Sequence, residues 1–216
     1  MLYSPFKRLK STHSRLTNVF LASIFLYLLA TMSLLTTPDS LLPAIGQTTD
    51  ARKVEADRLI QQGNQQYDTR QVQAALNSWQ QALQIYRVLK NRQGEGTALG
   101  SLGVAYINLG NNAKAIEYME QSLAISREIQ DRLGEGNALG NLGLAYHSLN
   151  NYAKAIEYSQ QWLASAREMK NHQREGNALR ILGDAYYSLN NYAKAIEYLQ
   201  QWLGIAREVK DRRGEG

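Results

Sequence analysis

Residues 136–175 read GNALGNLGLAYHSLNNYAKAIEYSQQWLASAREMKNHQRE, and residues 176–215 read GNALRILGDAYYSLNNYAKAIEYLQQWLGIAREVKDRRGE. Aligned without a gap, the two stretches are identical at 28 of their 40 positions. Chance does not produce this identity, so the chain contains a forty-residue repeat, and the repeat decides the fold. The same period continues towards the N-terminus, with glycines at Gly63, Gly103, Gly143 and Gly183.

Each repeat is predicted to form two helices. Between residues 137 and 149, apolar residues recur at three- and four-residue spacing, which indicates a first helix. Asn150 and Asn151 end it, because asparagine accepts the left-handed conformation that terminates helices; the preceding repeat has Gly110 there. A second helix is predicted over residues 152–169, with these side chains facing inward: Ala153, Ala155, Ile156, Leu163 and Ala166.

Small residues are expected where the two helices of a repeat meet. Gly143 and Ala155 are predicted to face each other and to let the two backbones approach closely. Gly140 and Gly143 each cost a helix about 0.5–1 kcal/mol relative to alanine, so one hairpin is marginal alone. Stability therefore has to come from stacked neighbours, as in a solenoid.

At these residues the sequence resembles the tetratricopeptide repeat family, whose pattern is an apolar residue, then Leu-Gly-x-x-Tyr, then alanine. The pattern matches Leu139, Leu142-Gly143-Leu144-Ala145-Tyr146 and Ala155, and it recurs in the repeats on either side. The first repeat lacks the Leu-Gly pair and the tyrosine and resembles a degenerate cap. The resemblance implies an all-α fold, a right-handed solenoid of about four helix-turn-helix hairpins over 52–216, with units at about 56–95, 96–135, 136–175 and 176–215.

The repeat departs from the common form of the family in length and in its ending. The common unit has about 34 residues and closes with proline, whereas this unit has forty residues and no proline. It is similar to the longer-helix subclass of kinesin light chains, G-protein-signalling adaptors and bacterial proteins that carry a caspase-like CHAT domain.

The resemblance also implies that the first helices line a concave groove that binds peptide segments. Four of the differences between the last two repeats fall on one face of the first helix: Gly140/Arg180, Asn141/Ile181, Leu144/Asp184 and His147/Tyr187. We interpret this face as a binding stripe, and drift on a solvent-exposed face is the alternative. The candidate groove residues are Val104, Ile107, Asn108, Asn141, Leu144, His147, Ser148, Arg180, Asp184, Tyr187 and Ser188. Asn141 matches the groove asparagine that contacts the peptide backbone in the adaptor subclass.

Composition argues against nucleic acid as a partner and against catalysis. The net charge is +5, but four basic residues and one acid precede residue 47, leaving 20 basic and 18 acidic residues spread over the repeats. Nucleic-acid binding needs a concentrated basic face, which this distribution lacks. There is no cysteine, and His147 and His172 have no ligand-spaced partners. We therefore expect no enzyme activity, no metal and no cofactor, and a protein or peptide as the partner.

Residues 1–46 are predicted to be a targeting segment. A basic start precedes residues 19–35, which carry no charge and, as a helix, would span about 26 Å at roughly 1.5 Å per residue. A bilayer core is roughly 30 Å thick, so an uncleaved anchor and a cleaved signal are both open; a buried core helix is a third alternative. Ala44-Ile45-Gly46 has the small-x-small form that signal peptidases cut. Anchor and signal both predict repeats outside the cytoplasm, in the periplasm, in the medium or on the membrane.

Gly216 stands where Gly96, Gly136 and Gly176 open earlier units, which predicts an array cut at the start of a fifth unit. The leading functional hypothesis is a scaffold that binds a protein or peptide partner in the groove. The alternatives are a sensor array in a larger protein with a CHAT effector downstream, and a structural solenoid that associates with itself through its C-terminal end.

Overall fold

The computed structural model describes the backbone of residues 38–214 and the side chains of residues 48–208. This part of the chain contains eight helices and no strand: α1 (Pro38–Asp68), α2 (Val72–Val88), α3 (Arg92–Asn108), α4 (Asn112–Glu128), α5 (Arg132–Ser148), α6 (Tyr152–Glu168), α7 (His172–Ser188) and α8 (Tyr192–Gly214). The chain divides into two compact units, Met1–Ala51 and Arg52–Gly216, and the repeats form the second. The predicted targeting helix at 19–35 lies outside the described residues. Within 38–214, no helix is both long enough and apolar enough to cross a membrane.

The helices form four hairpins, α1/α2, α3/α4, α5/α6 and α7/α8, and each hairpin packs on the next. From α2 onward, every helix contacts its neighbours along the chain. In addition, the first helix α5 contacts the first helices α3 and α7, whereas no two second helices of the described chain pack together. The first helices therefore lie closer together than the second helices and form the inner layer of the solenoid, as the resemblance to the tetratricopeptide repeat family implies.

Each later first helix begins with a side-chain cap. In α5 the carboxylate of Asp131 accepts a hydrogen bond from the backbone N–H of Gly134 at 2.9 Å. Asn91 and Asn171 cap α3 and α7 in the same way. The predicted start at Asn137 is wrong by five residues, because the cap satisfies a free N–H group and the glycines lie within the first turns.

The turns inside the hairpins confirm the predicted chain reversals. Asn150 and Gly110 have φ angles of 58° and 70°, in the left-handed region that asparagine and glycine tolerate. The connections between hairpins use the same conformation at ordinary residues, with φ of 53° at Lys90, 57° at Gln130 and 52° at Lys170. Both kinds of turn therefore have the same backbone form. Only the turns inside the last three hairpins have asparagine or glycine there, since the α1/α2 turn has Arg70 with φ of 64°.

The buried core residues occupy the same positions in successive repeats. Leucines of the first helices are completely or almost completely buried, at Leu99, Leu102, Leu139, Leu142, Leu179 and Leu182. The predicted close approach at Gly143 is present: a Cβ there would lie 3.8 Å from the carbonyl oxygen of Ala155 and 2.6 Å from Oγ of Ser159. Ala153, predicted to face inward, is exposed because it lies on the opposite side of α6 from buried Ala155.

Successive hairpins are joined by a recurring arginine near the end of each second helix. Arg127 donates from Nε to Glu135 at 2.7 Å and from Nη2 to Gln161 at 2.8 Å, so one side chain of α4 binds both α5 and α6. Arg87 and Arg167 make the same pair of bonds in the neighbouring repeats. We call these three arginines and their partners the arginine ladder. The glutamates thus pair with cations across repeats, and they also lie in the first turn of their helices, where a negative charge stabilises the helix dipole.

Candidate partner-binding surface

A cavity of about 570 Å³ opens between the first helices α3 and α5, with α4 behind it. Five helices contribute to its wall because the stacking of hairpins brings α1 and α2 to one end and α5 to the other. It is lined by Asn64, Tyr67, Trp79, Gln93, Gly96, Thr97, Gly100, Ser101, Val104, Met119, Ser122, Ser126, Ile129, Asp131, Leu133, Gly134, Asn137, Ala138 and Asn141. We call it the α3–α5 cavity.

Missing side-chain volume leaves the α3–α5 cavity open. A Cβ added at Gly100 would have only one heavy atom within 4 Å outside its own helix, Oγ of Ser122 at 3.5 Å. Ser122 itself is turned onto the backbone, where its hydroxyl donates to the carbonyl of Gly96 at 3.1 Å. Neither residue extends into the space between α3 and α5.

Polar groups around the cavity differ in whether they already have partners. Asn64 accepts a hydrogen bond from the indole N–H of Trp79 at 3.1 Å, and Asn137 accepts one from Arg174 at 2.7 Å. Among the described residues, by contrast, nothing hydrogen-bonds to the side chain of Asn141, which is half-buried at the wall. Its amide can therefore donate to and accept from an incoming backbone at once.

On α3 and α5, the predicted stripe lies partly in the cavity and partly beside it. Val104 and Asn141 line the cavity. Ile107 is half-buried, Leu144 is exposed, and the amide of Asn108 donates to the hydroxyl of Tyr67. His147 packs edge-on against Tyr152 with ring centroids 5.5 Å apart, and the hydroxyl of Ser148 donates to the backbone carbonyl of Leu144 in its own helix.

The α7 part of the predicted stripe lies outside the α3–α5 cavity. Arg180 and Asp184 pair with each other at 3.1 Å, one turn apart, with side chains 48% and 41% exposed. Tyr187 packs edge-on against Tyr192, and the hydroxyl of Ser188 donates to the backbone carbonyl of Asp184. These residues form a separate surface with opposite charges and an exposed aromatic ring.

Each of the last three hairpins contains a pair of stacked tyrosines, one on each of its helices. Tyr146 stacks on Tyr158 with ring centroids 5.5 Å apart and donates to the carboxylate of Glu120 at 3.0 Å. Burial, and then this hydrogen bond, raise the pKa of Tyr146 to about 12. The phenol is thus neutral at physiological pH and acts as a hydrogen-bond donor that joins α5 to α4. In the described part of the chain, no three His, Asp or Glu side chains lie close enough to hold a metal ion.

Sequence reasoning missed most of the cavity. Gly100 was not singled out, and Ser122 lies on a second helix, whereas the prediction considered only one face of the first helices. A comparison between repeats would have found them, because Ser122 occupies the position of Trp162 and Trp202 in the next two repeats.

The family model for the tetratricopeptide repeat matches residues 59–128, 97–168 and 134–208. These stretches overlap and together cover more than half of the chain, so the chain belongs to the tetratricopeptide repeat family. This confirms the resemblance drawn from the Leu-Gly-x-x-Tyr pattern. No curated protein matches the chain.

Solved structures with the same fold come from several kinds of protein. Aspartyl phosphate phosphatase F from Bacillus subtilis has a TM-score of 0.67 and 19% identity, covering 74% of this chain and 42% of its own. A Rap protein complexed with competence and sporulation factor has a TM-score of 0.63 and 22% identity, over 74% of this chain and 45% of its own. A putative kinesin light chain from Podosopora anserina, with nearly identical repeats, has a TM-score of 0.61 and 20% identity, over 72% and 76%.

At these identities the likeness shows the fold alone. The chain spans less than half the length of the first two of these proteins.

Proposed function

We propose that the repeats bind an extended segment of a partner protein along the inner layer, at the α3–α5 cavity. The observation that carries this proposal is the cavity itself, an open space of about 570 Å³ between two first helices. Ligand sites in proteins are typically concave, have volumes of about 300–1,000 Å³, and combine apolar walls with a few polar groups. The Rap protein complexed with competence and sporulation factor has the same fold, which supports a protein or peptide as the kind of partner.

The lining predicts the chemistry of the segment. Asp131 is the one charged side chain that lines this cavity, and both of its oxygens already have partners, the N–H of Gly134 and, at 3.5 Å, the amide of Gln93. Asn141 offers an unused amide, and Val104 and Leu133 offer apolar contacts. The cavity is thus suited to an uncharged stretch whose backbone bonds to Asn141 and whose apolar side chains enter the wall.

Selection of displayed random peptides on the whole purified chain tests the proposal. We expect selected peptides to bind at least tenfold more weakly to the double variant Val104→Ala/Asn141→Ala, because it removes an apolar contact and the free amide. Asn77→Ala/Val88→Ala carries the same substitutions at exposed positions of α2 and should leave the Kd unchanged. Asp184→Ala/Tyr187→Ala reports whether the separate α7 surface takes part. Equal Kd values for the wild type and the Val104/Asn141 variant would overturn the assignment of the groove.

A second candidate function is self-association through α8. Its side chains Ile196, Trp202 and Leu203 are 56%, 36% and 42% exposed, more than the equivalent apolar positions of α6. A further alternative is a sensor array within a larger protein that carries an effector. The gene sequence that follows the codon for Gly216 tests that alternative directly.

A further inference from the structure

We propose that the α3–α5 cavity is a pocket for one aromatic side chain of the bound segment, held against the bare backbone of α3 at Gly100. This inference says which kind of side chain the partner of the proposed function would insert into the cavity. It rests on the proposed function, because the bound segment supplies the ring. It starts from a difference between repeats that should otherwise be interchangeable.

Inside two hairpins, one position of the first helix lies against one position of the second helix: Gly100 against Ser122, and Gly140 against Trp162. Sequence alignment gives the equivalent pairs of the other two repeats. In the four hairpins, these pairs are Ile60 with Ala82, Gly100 with Ser122, Gly140 with Trp162, and Arg180 with Trp202. In every pair but one, at least one member is large. Only the α3/α4 hairpin has a small residue at both positions, and the cavity opens there.

The α5/α6 hairpin shows what fits the equivalent space. A Cβ added at Gly140 would lie 2.7 Å from Cε2 of Trp162 and 2.8 Å from its Cζ2, so the indole lies directly on the backbone of α5. The same indole packs against apolar clusters that include Leu142 of α5 and Ala178 of α7. One aromatic ring thus fills the space between two successive first helices.

The residues that lie forty positions earlier in the sequence than this arrangement are found at the α3–α5 cavity. Gly140 becomes Gly100, and Ala178 becomes Ala138; both of these residues line the cavity. Met119 does not fill the space, because its side chain covers Gly103, 2.6 Å from the position of a Cβ there, and does not come within 4 Å of one at Gly100. The backbone wall that receives the Trp162 indole is therefore present and bare one repeat earlier.

The size and lining of the cavity favour a ring. A dry cavity of about 150 Å³ already binds benzene, and this one has a volume of about 570 Å³. Tyr67 and Trp79 stand at one end, where offset or edge-on contact with a further ring is favourable. Glycine at position 100 allows a flat ring to reach the helix backbone, where any other residue would hold it away. Within residues 48–208 no side chain fills this space, and the proposal assigns the ring to the bound segment.

Two variants of the full chain, each of which exchanges serine and tryptophan at the equivalent position of a repeat, test the pocket. The probes are indole and N-acetyltryptophanamide, and ligand-detected NMR measures their binding. Ser122→Trp puts the chain's own indole into the cavity, so we expect it to abolish probe binding and to raise the Tm by about 2–4 °C. Should Ser122→Trp fail to fold, Met119→Ser/Ser122→Trp copies the Ser159/Trp162 pair and tests the same point. Trp162→Ser opens the equivalent space at Gly140 and should add a second probe site.

Unchanged probe binding in a folded Ser122→Trp chain overturns the pocket, and so does the absence of any probe binding to the wild type. The selected peptides separate this result from the proposed function. Suppose that the selected peptides lack an aromatic residue and bind equally well to the wild type and Ser122→Trp, but weakly to Val104→Ala/Asn141→Ala. That result would refute the aromatic pocket and support the peptide groove. Probe binding that Ser122→Trp abolishes, with no peptide selected, would support the pocket and refute the peptide groove.

Discussion

Gly63, Gly103, Gly143 and Gly183 occupy one position of the repeat, but each lies against a different side chain. A Cβ at these sites would meet the ring of Trp79, the thioether of Met119, the hydroxyl of Ser159 and the isobutyl group of Leu199. The first of these neighbours is rigid and buried, whereas the second is flexible. The same glycine therefore constrains the four hairpins to different degrees.

Gly63→Ala is expected to destabilise the protein by about 1–3 kcal/mol, because its methyl group would lie 2.4 Å from Nε1 of buried Trp79. Gly204→Ala is the matched control in α8. No atom lies within 4 Å of a Cβ at Gly204, so the substitution should stabilise α8 by about 0.5–1 kcal/mol through helix propensity. Urea denaturation followed by circular dichroism measures both. A Gly63→Ala chain as stable as the wild type would show that the Trp79 ring moves aside at no cost.

At the scale of elements, the arginine ladder holds each hairpin to the next from the outside. Arg127 is about half exposed, but it binds Glu135 and Gln161 together and so fixes α4, α5 and α6 relative to one another. Exposed single ion pairs contribute about 0–1 kcal/mol. Because each arginine of the ladder bonds to two helices, we expect its contribution to the free energy of unfolding to lie at the upper end of that range.

Arg127→Met is expected to lower the free energy of unfolding by about 0.5–1 kcal/mol in low salt, and by less in 1 M salt. Lys154→Met is the control, because the Lys154–Glu157 pair at 2.9 Å lies within one helix and joins no repeats. Its effect should stay below about 0.5 kcal/mol. Equal losses in the two variants, measured by urea denaturation in both salts, would mean that the ladder adds nothing between repeats.

The sequence predicted the helix whose capping residue stands directly before its periodic apolar residues, and it misplaced the helix whose cap is separated from them by glycines. The second helix expected over 152–169 is α6, Tyr152–Glu168, since Asn151 gives a clear start. The first helix was placed five residues late, because Gly134 and Gly136 resemble a joint between helices. Only the geometry shows that Asp131 caps the helix before these glycines. The α3–α5 cavity was missed for a related reason: it depends on side chains that are absent from two facing positions, and a search for conspicuous residues does not detect an absence.

At the scale of the whole molecule, the described helices touch only helices that lie near them in the chain. Among the described helices, α8 contacts only α7, whereas α4 and α6 each contact the first helix before and the first helix after them. Its apolar side chains Ile196, Trp202 and Leu203 remain exposed. Apolar groups presented together in this way are candidates for contact with a second copy of the chain.

Leu203→Glu is expected to abolish any concentration-dependent growth in molar mass, because a charge on the exposed side of α8 would have to be buried in such a contact. Leu149→Glu is the control, since Leu149 is 49% exposed at the turn between α5 and α6, away from α8. Multi-angle light scattering over a hundredfold range of concentration measures both. Growth that persists in Leu203→Glu, or that Leu149→Glu abolishes equally, would exclude α8 as the contact.

Because of the arginine ladder, every junction between repeats is held by the same set of contacts. Every rung joins an arginine to the glutamate eight residues ahead and the glutamine thirty-four residues ahead, and these partners are the same from one junction to the next. After an in-frame gain or loss of one whole forty-residue unit, the arginine at the new boundary would again have a glutamate eight residues ahead and a glutamine thirty-four residues ahead. The array could lengthen or shorten by such steps, and the distance between the α3–α5 cavity and the α7 surface would change by whole repeats.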